Sequence, residues 1–167
     1  EAWPADVVLC VASLSLHDQI FEPRYEQVII NWLHGVKQRL DSRGMIPHAV
    51  HTKNGKATEN ARGSSMALML IFLRDIDFQF AQDQFRLFNK NFVDSQFGLT
   101  GIRAYATGQS GNGDIDSGPV ILGFGGAATI VGMQTLSLYG EDESGLKVRN
   151  AVEAFGIPIQ REAHKQY

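Results

Sequence analysis

The chain has 167 residues, 44% of them hydrophobic and 20% charged, and 15 basic against 18 acidic side chains leave a formal charge of −3. That length suits one domain with a single core, burying roughly 68–70% of the surface its unfolded chain exposes. No basic run extends beyond a short tail around Arg161 and Lys165, so nucleic acid is not an expected partner, and the lone cysteine, Cys10, excludes an internal disulfide and any multi-cysteine metal site.

Residues 5–16 are apolar on nearly all sides and predict a buried helix, with Cys10 as a small core residue and His17-Asp18-Gln19 as its end. Glu22-Pro23 restarts the chain. Tyr25, Val28, Ile29, Trp32, Leu33, Val36 and Leu40 then recur at helical spacing opposite Glu26, Asn31, Lys37, Gln38 and Arg39, which predicts an amphipathic helix. Trp3 and Trp32 read as core or interface residues. A long polar connection follows over 41–63, and its Asn54-Gly55 pair between two short runs predicts a small β-hairpin. Ser64 or Ser65 would cap a third helix through 73, apolar almost all round. Asp75 and Asp77 bracket a turn into a fourth helix, where Ala81, Phe85, Phe88 and Phe92 form the inner stripe.

A second long connection spans 94–117 and leads into GNGDIDSGPVILGFGGAATIVGM at 111–133. Pro119 suits the first turn of a helix and Asp116 or Ser117 its cap, so a fifth helix is expected from there to Gly140. Gly123, Gly125, Gly126 and Gly132 would each cost that helix about 1 kcal/mol against alanine, which the close approach of a neighbouring helix would offset. The uncharged run 120–139 reaches the length of a membrane span, but its glycines, Thr129, Gln134, Thr135 and Ser137, and the lack of flanking Lys/Arg asymmetry, favour a core helix. Glu141, Asp142 and Glu143 open a sixth helix with Leu146, Val148, Val152 and Phe155 inward.

Helices one, three and five are thus the apolar ones, and both long connections precede an inner helix. The expected fold is all-α: three helix hairpins with alternating inner and outer helices. A repeat supports it, since Asp41 and Asp94 lie 94 − 41 = 53 apart and Ser64 and Ser117 lie 117 − 64 = 53 apart. The alternation, together with ENARGSSMALMLIFL and GNGDIDSGPVILGFGGAATIVG, resembles bacterial (α/α) toroid proteins, linalool dehydratase/isomerase-like or glycoside-hydrolase-like, over roughly 43–155. The resemblance implies part of an (α/α)6-type toroid. Six helices would make half a ring, and the chain opens on Glu1 without an initiator Met, so a fragment of a longer protein, or a homo-oligomer completing the ring, is expected.

Inner helices that start at one rim would form a floor of positive dipole ends. Asp114 and Asp116 on the second long connection are the candidate catalytic pair, acid and base or nucleophile, with Glu59 assisting from the first. Equally, Asp116 caps the helix and Asp114 the turn. His48, His51, Arg62, Arg103 and Tyr105 are the candidate substrate contacts. Arg62 reads alternatively as a partner of Glu59 that holds the loop, and Tyr105 as a loop anchor. No metal or other cofactor is expected: His48 and His51 lack a third ligand, and the acidic ligands of a calcium loop do not follow Asn112-Gly113-Asp114. No Gly-x-Ser-x-Gly elbow marks a serine hydrolase. The expected function is that of a carbohydrate-active, glycoside-hydrolase-like enzyme on a small-molecule or glycan substrate. A dehydratase/isomerase is the alternative, although the cysteine-rich site of that family is missing here; a non-enzymatic helical scaffold is the third reading.

Overall fold

The computed structural model describes residues 1–111, 113, 118, 120–155, 159–161 and 164–166. Helix α3 (Gly63–Leu73) is its centre, packed against α1 (Pro4–Ile20), α4 (Phe78–Phe92) and α5 (Gly126–Leu138). Its sequence, GSSMALMLIFL, has no polar stripe, so it is stable only where neighbours cover most of its circumference; Met66, Ala67, Met69, Leu70 and Leu73 are buried. Against it, α4 presents Phe80, Ala81, Phe85, Phe88 and Phe92, and Asp77 caps this helix by accepting the Phe80 N–H at 2.9 Å. The sides of α3 and α5 are tied by two hydroxyls. Thr135 donates to the Ala67 carbonyl and Tyr139 to the Leu70 carbonyl, both at 2.8 Å. Burial pushes the Tyr139 phenol well above its ordinary pKa, which keeps it a donor. Helix α6 (Asp142–Phe155) covers α5, while α2 (Glu26–Lys37) sits against α1 across a turn in which the Asp18 carboxylate accepts the Arg24 and Tyr25 N–H groups.

The connections are not featureless. Strand β1 (Ala49–Val50) pairs with β2 (Ala57–Glu59), β3 (Val93–Gln96) with β4 (Leu99–Ile102), β5 (Val120–Ile121) with β6 (Phe124–Gly125), and β7 (Ile159–Arg161) with β8 (His164–Gln166), all antiparallel. The expected all-α fold built as part of an (α/α)6-type toroid is therefore corrected: six helices combine with two-stranded hairpins in a mixed α/β architecture. The hairpin expected in the first connection is only one of these. Two of the others close through two-residue turns, Phe97-Gly98 and Leu122-Gly123, with all four residues at positive φ (52, 79, 54 and 84°).

Three further expectations change with this. Helix α5 starts at Gly126, because 120–125 is spent on β5 and β6. Of the four glycines, Gly126 opens the helix and Gly132 alone lies in its interior, and what approaches Gly132 is Ile102 of β4, whose Cγ1 would stand 2.4 Å from an added Cβ. Helix α3 is capped by neither Ser64 nor Ser65; its first N–H, on Gly63, donates to the Ala104 carbonyl at 3.0 Å. Helix α1 buries only Ala5, Val8, Val11 and Ala12, since α3 covers just one side of it, and Cys10 is exposed instead of in the core. No helix among the described residues is long and apolar enough to cross a membrane.

What positions the site is the shared end of α1, α3 and α5. Ala2 bridges to Val50 just before α1, Gly63 at the start of α3 donates to Ala104, and the Ala104 N–H donates at 2.9 Å to the Gly123 carbonyl just before α5. The three inner helices thus begin at one rim, stitched together through backbone.

Candidate functional site

The first long connection is fixed at its base by a buried carboxylate. Asp41 accepts the N–H groups of Arg43 (2.8 Å) and Met45 (3.0 Å) on one oxygen and of Ala61 (2.9 Å) on the other. Buried Gln84 adds a second clamp by accepting the Ile46 N–H and donating to the Gly44 carbonyl. With both ends of the connection held, β2 delivers Glu59 to the rim one turn ahead of Arg62, and the backbone of Arg62 bridges to Tyr105.

Glu59 accepts the Arg62 Nε–H at 2.6 Å, and a second guanidinium nitrogen of Arg62 also contacts the carboxylate. Its other oxygen lies 3.9 Å from His48 Nε2. His48 Nδ1 is 3.1 Å from the Ser65 hydroxyl, which itself donates to the Arg62 carbonyl at 3.2 Å. Since that hydroxyl proton is used, Nδ1 is assigned as the donor, an assignment made from the network. The Arg62 guanidinium stands 5.1 Å from the centre of the Tyr105 ring, a cation–π contact, and the Tyr105 hydroxyl accepts the Gly113 N–H at 3.1 Å. Gly111 lies against the same ring so closely that an added Cβ would come within 2.4 Å of it. Tyr105 is accordingly gripped on several sides, as a loop anchor would be.

Around this cluster opens a cleft of about 400 Å³ lined by Glu59, Asn60, Ala61, Tyr105, Gln109 and Ser110. Apart from the carboxylate, its polar groups are amide and hydroxyl, which both donate and accept and so match hydroxylated ligands. Of the expected site residues the structure brings together Glu59, His48, Arg62 and Tyr105. It separates His51, which sits exposed at the β1–β2 turn and accepts the Lys53 N–H. Arg103 is turned to bracing: it pairs with Asp94 at 3.0 Å and reaches the Tyr105 carbonyl at 3.4 Å. The Gln96 amide and, after it, the Arg103 guanidinium hold the Asp94 carboxyl below the usual carboxylate range, outweighing the opposite effect of burial. Asp114 and Asp116 lie outside the described residues.

Asn60, Gln109 and Ser110 carry no sequence pattern that sets them apart; only the folded loops bring them to the cleft. Among the described residues no group of three or more His, Cys, Asp or Glu side chains is arranged to hold a metal. No protein-family model matches this chain, and no curated protein matches it either.

Proposed function

We propose that the chain is an acid/base enzyme acting on a carbohydrate or similarly hydroxylated small molecule, with Glu59 at the mouth of the cleft as its general base or acid. The observation that carries this reading is the pairing of one oriented carboxylate, held from behind by Arg62 and His48, with an otherwise uncharged lining of amides and hydroxyls. Arg62 fixes the carboxylate's direction, and His48, oriented by the Ser65 hydroxyl, stands against the carboxylate's other oxygen. Glycosidic chemistry needs a second carboxylate about 5 Å away for retention or further for inversion, and Asp114 or Asp116 is proposed to supply it. Loss of turnover on a panel of oligosaccharides and aryl glycosides in Glu59→Gln and in the Asp114→Asn/Asp116→Asn pair, with melting temperatures held within a few degrees, is the expected result. If the parent protein neither binds nor turns over any member of the panel, the proposal is lost.

One observation favours a second reading, that of a partner-binding or self-associating helical module. Val7, Leu16, Ile20 and Phe21 on and after α1, and Val28 and Ile30 on α2, are exposed apolar side chains. A dimer or larger assembly in sedimentation at micromolar concentration would support it, and a monomer at all concentrations would remove it.

A further inference from the structure

A second cavity, of about 380 Å³, lies away from Glu59 between the start of α1, the face of α2 and the turn of the β1–β2 hairpin. Val7, Trp32, Val36, Ile46 and Val50 give it an apolar floor. The charged side chains that line it are Arg39 and Lys53, both exposed at its mouth, and no acid joins them. Among the described residues neither cation pairs with a carboxylate, although the chain as a whole is acidic by three charges. Arg39 is nonetheless held in place: its Nε donates to the Asn54 carbonyl at 3.1 Å and one Nη to the Gly35 carbonyl at 2.9 Å. Both partners are neutral carbonyls. Two of the five guanidinium donors are thus used to orient the group, and the positive charge stays uncompensated beside an apolar hollow.

We infer that this groove binds a small amphiphilic carboxylate, its aliphatic or aromatic body on the Trp32 floor and its anionic end at Arg39 and Lys53. The volume falls in the range of small-ligand sites, and a pre-oriented guanidinium matches carboxylate geometry better than a mobile ammonium does. Charge complementarity selects the head group. The apolar floor demands the body.

The test uses the full chain carrying Trp3→Phe, which leaves Trp32 in the groove as the sole tryptophan reporter; Trp3 is exposed and does not line the cavity. Decanoate is titrated against decanol, which lacks the charge, and acetate, which lacks the body. Saturable one-to-one binding of decanoate with a blue shift of Trp32 emission is expected. In Arg39→Gln/Lys53→Gln the affinity should fall by about tenfold or more, and decanol and acetate should bind no better than that variant does. Should the double variant lose its helical circular dichroism, Lys53→Gln alone decides, because Lys53 makes no side-chain hydrogen bond to the described residues; a fall of about threefold is expected there. Failure of decanoate to saturate, unchanged affinity in the charge variants, or equal binding of decanol overturns the inference. None of these outcomes bears on Glu59, which lines the other cleft.

Discussion

Replacing Gly63 by alanine would put a methyl carbon 2.0 Å from the Arg103 carbonyl oxygen and 3.2 Å from Ile102 Cγ2. The clash is with backbone, so no side chain can swing aside. Relief to ordinary van der Waals contact requires the 102–104 segment and the start of α3 to separate by more than an ångström. Overpacking of a buried site costs roughly 1–3 kcal/mol, and losing the Gly63 N–H to Ala104 carbonyl bond leaves a buried amide unpaired for about 1–3 kcal/mol more. The sum, about 4 kcal/mol, corresponds to a fall of roughly 8–16 °C in Tm for a chain of this size. Gly126→Ala is the matched control: it opens α5, an added Cβ there meets nothing within 4 Å, and alanine is the better helix former. That variant should gain about 0.5–1 kcal/mol. Calorimetry on the two side by side tests the reasoning, and Gly63→Ala melting within about 2 °C of the parent would refute it.

Asp41→Asn puts an amide where three buried or half-buried N–H groups converge, so at least one donor loses its acceptor; a loss of about 2–3 kcal/mol in urea unfolding is expected, and an unchanged midpoint counts against the clamp. Phe97 is 88% exposed and held at a φ of 52°, so Phe97→Asn gives up little packing and should raise stability by about 1 kcal/mol. A lower Tm for that variant would contradict the turn. Burial pushes the Asp77 carboxyl up, but its hydrogen bond with Lys37 and the Phe80 N–H outweigh burial and hold it below 3.8. With the folded-state value depressed, its contribution is complete above the unfolded value and is lost as pH falls through the folded one, so Asp77→Asn should flatten the urea midpoint's decline below about pH 5 while keeping the cap. An acid limb identical to the parent's would show that the Asp77 carboxylate carries none of it.

Helical periodicity located α3 and α4 well because their patterns have a single physical source. A run like MALMLIFL must be surrounded, and the spacing of Phe85, Phe88 and Phe92 admits only one buried stripe. The hairpins were hidden for an equally physical reason. Asn54-Gly55 is a turn pair whose residues tolerate unusual backbone angles, and it was legible; Phe97-Gly98 and Leu122-Gly123 put Phe and Leu, which disfavour positive φ, at the first turn position, so only a single glycine marks each turn. For the same reason 120–125, a short apolar run, could not be told from the first turns of α5. At the rim, the spacing of Glu59 and Arg62 suggested their ion pair, whereas the approach of Tyr105 depends on the Arg62 and Gly63 backbone pairing with 104–105, a long-range register that no single segment encodes.

The β1–β2 hairpin touches both hollows of the molecule, with Lys53, Asn54 and Gly55 bordering one and Glu59 bordering the other. Its tip is tethered by Arg39 and its foot by Asp41 through Ala61. A short ribbon pinned at both extremities holds one fixed attitude, so a single element sets where Lys53 stands against one hollow and where Glu59 stands against the other.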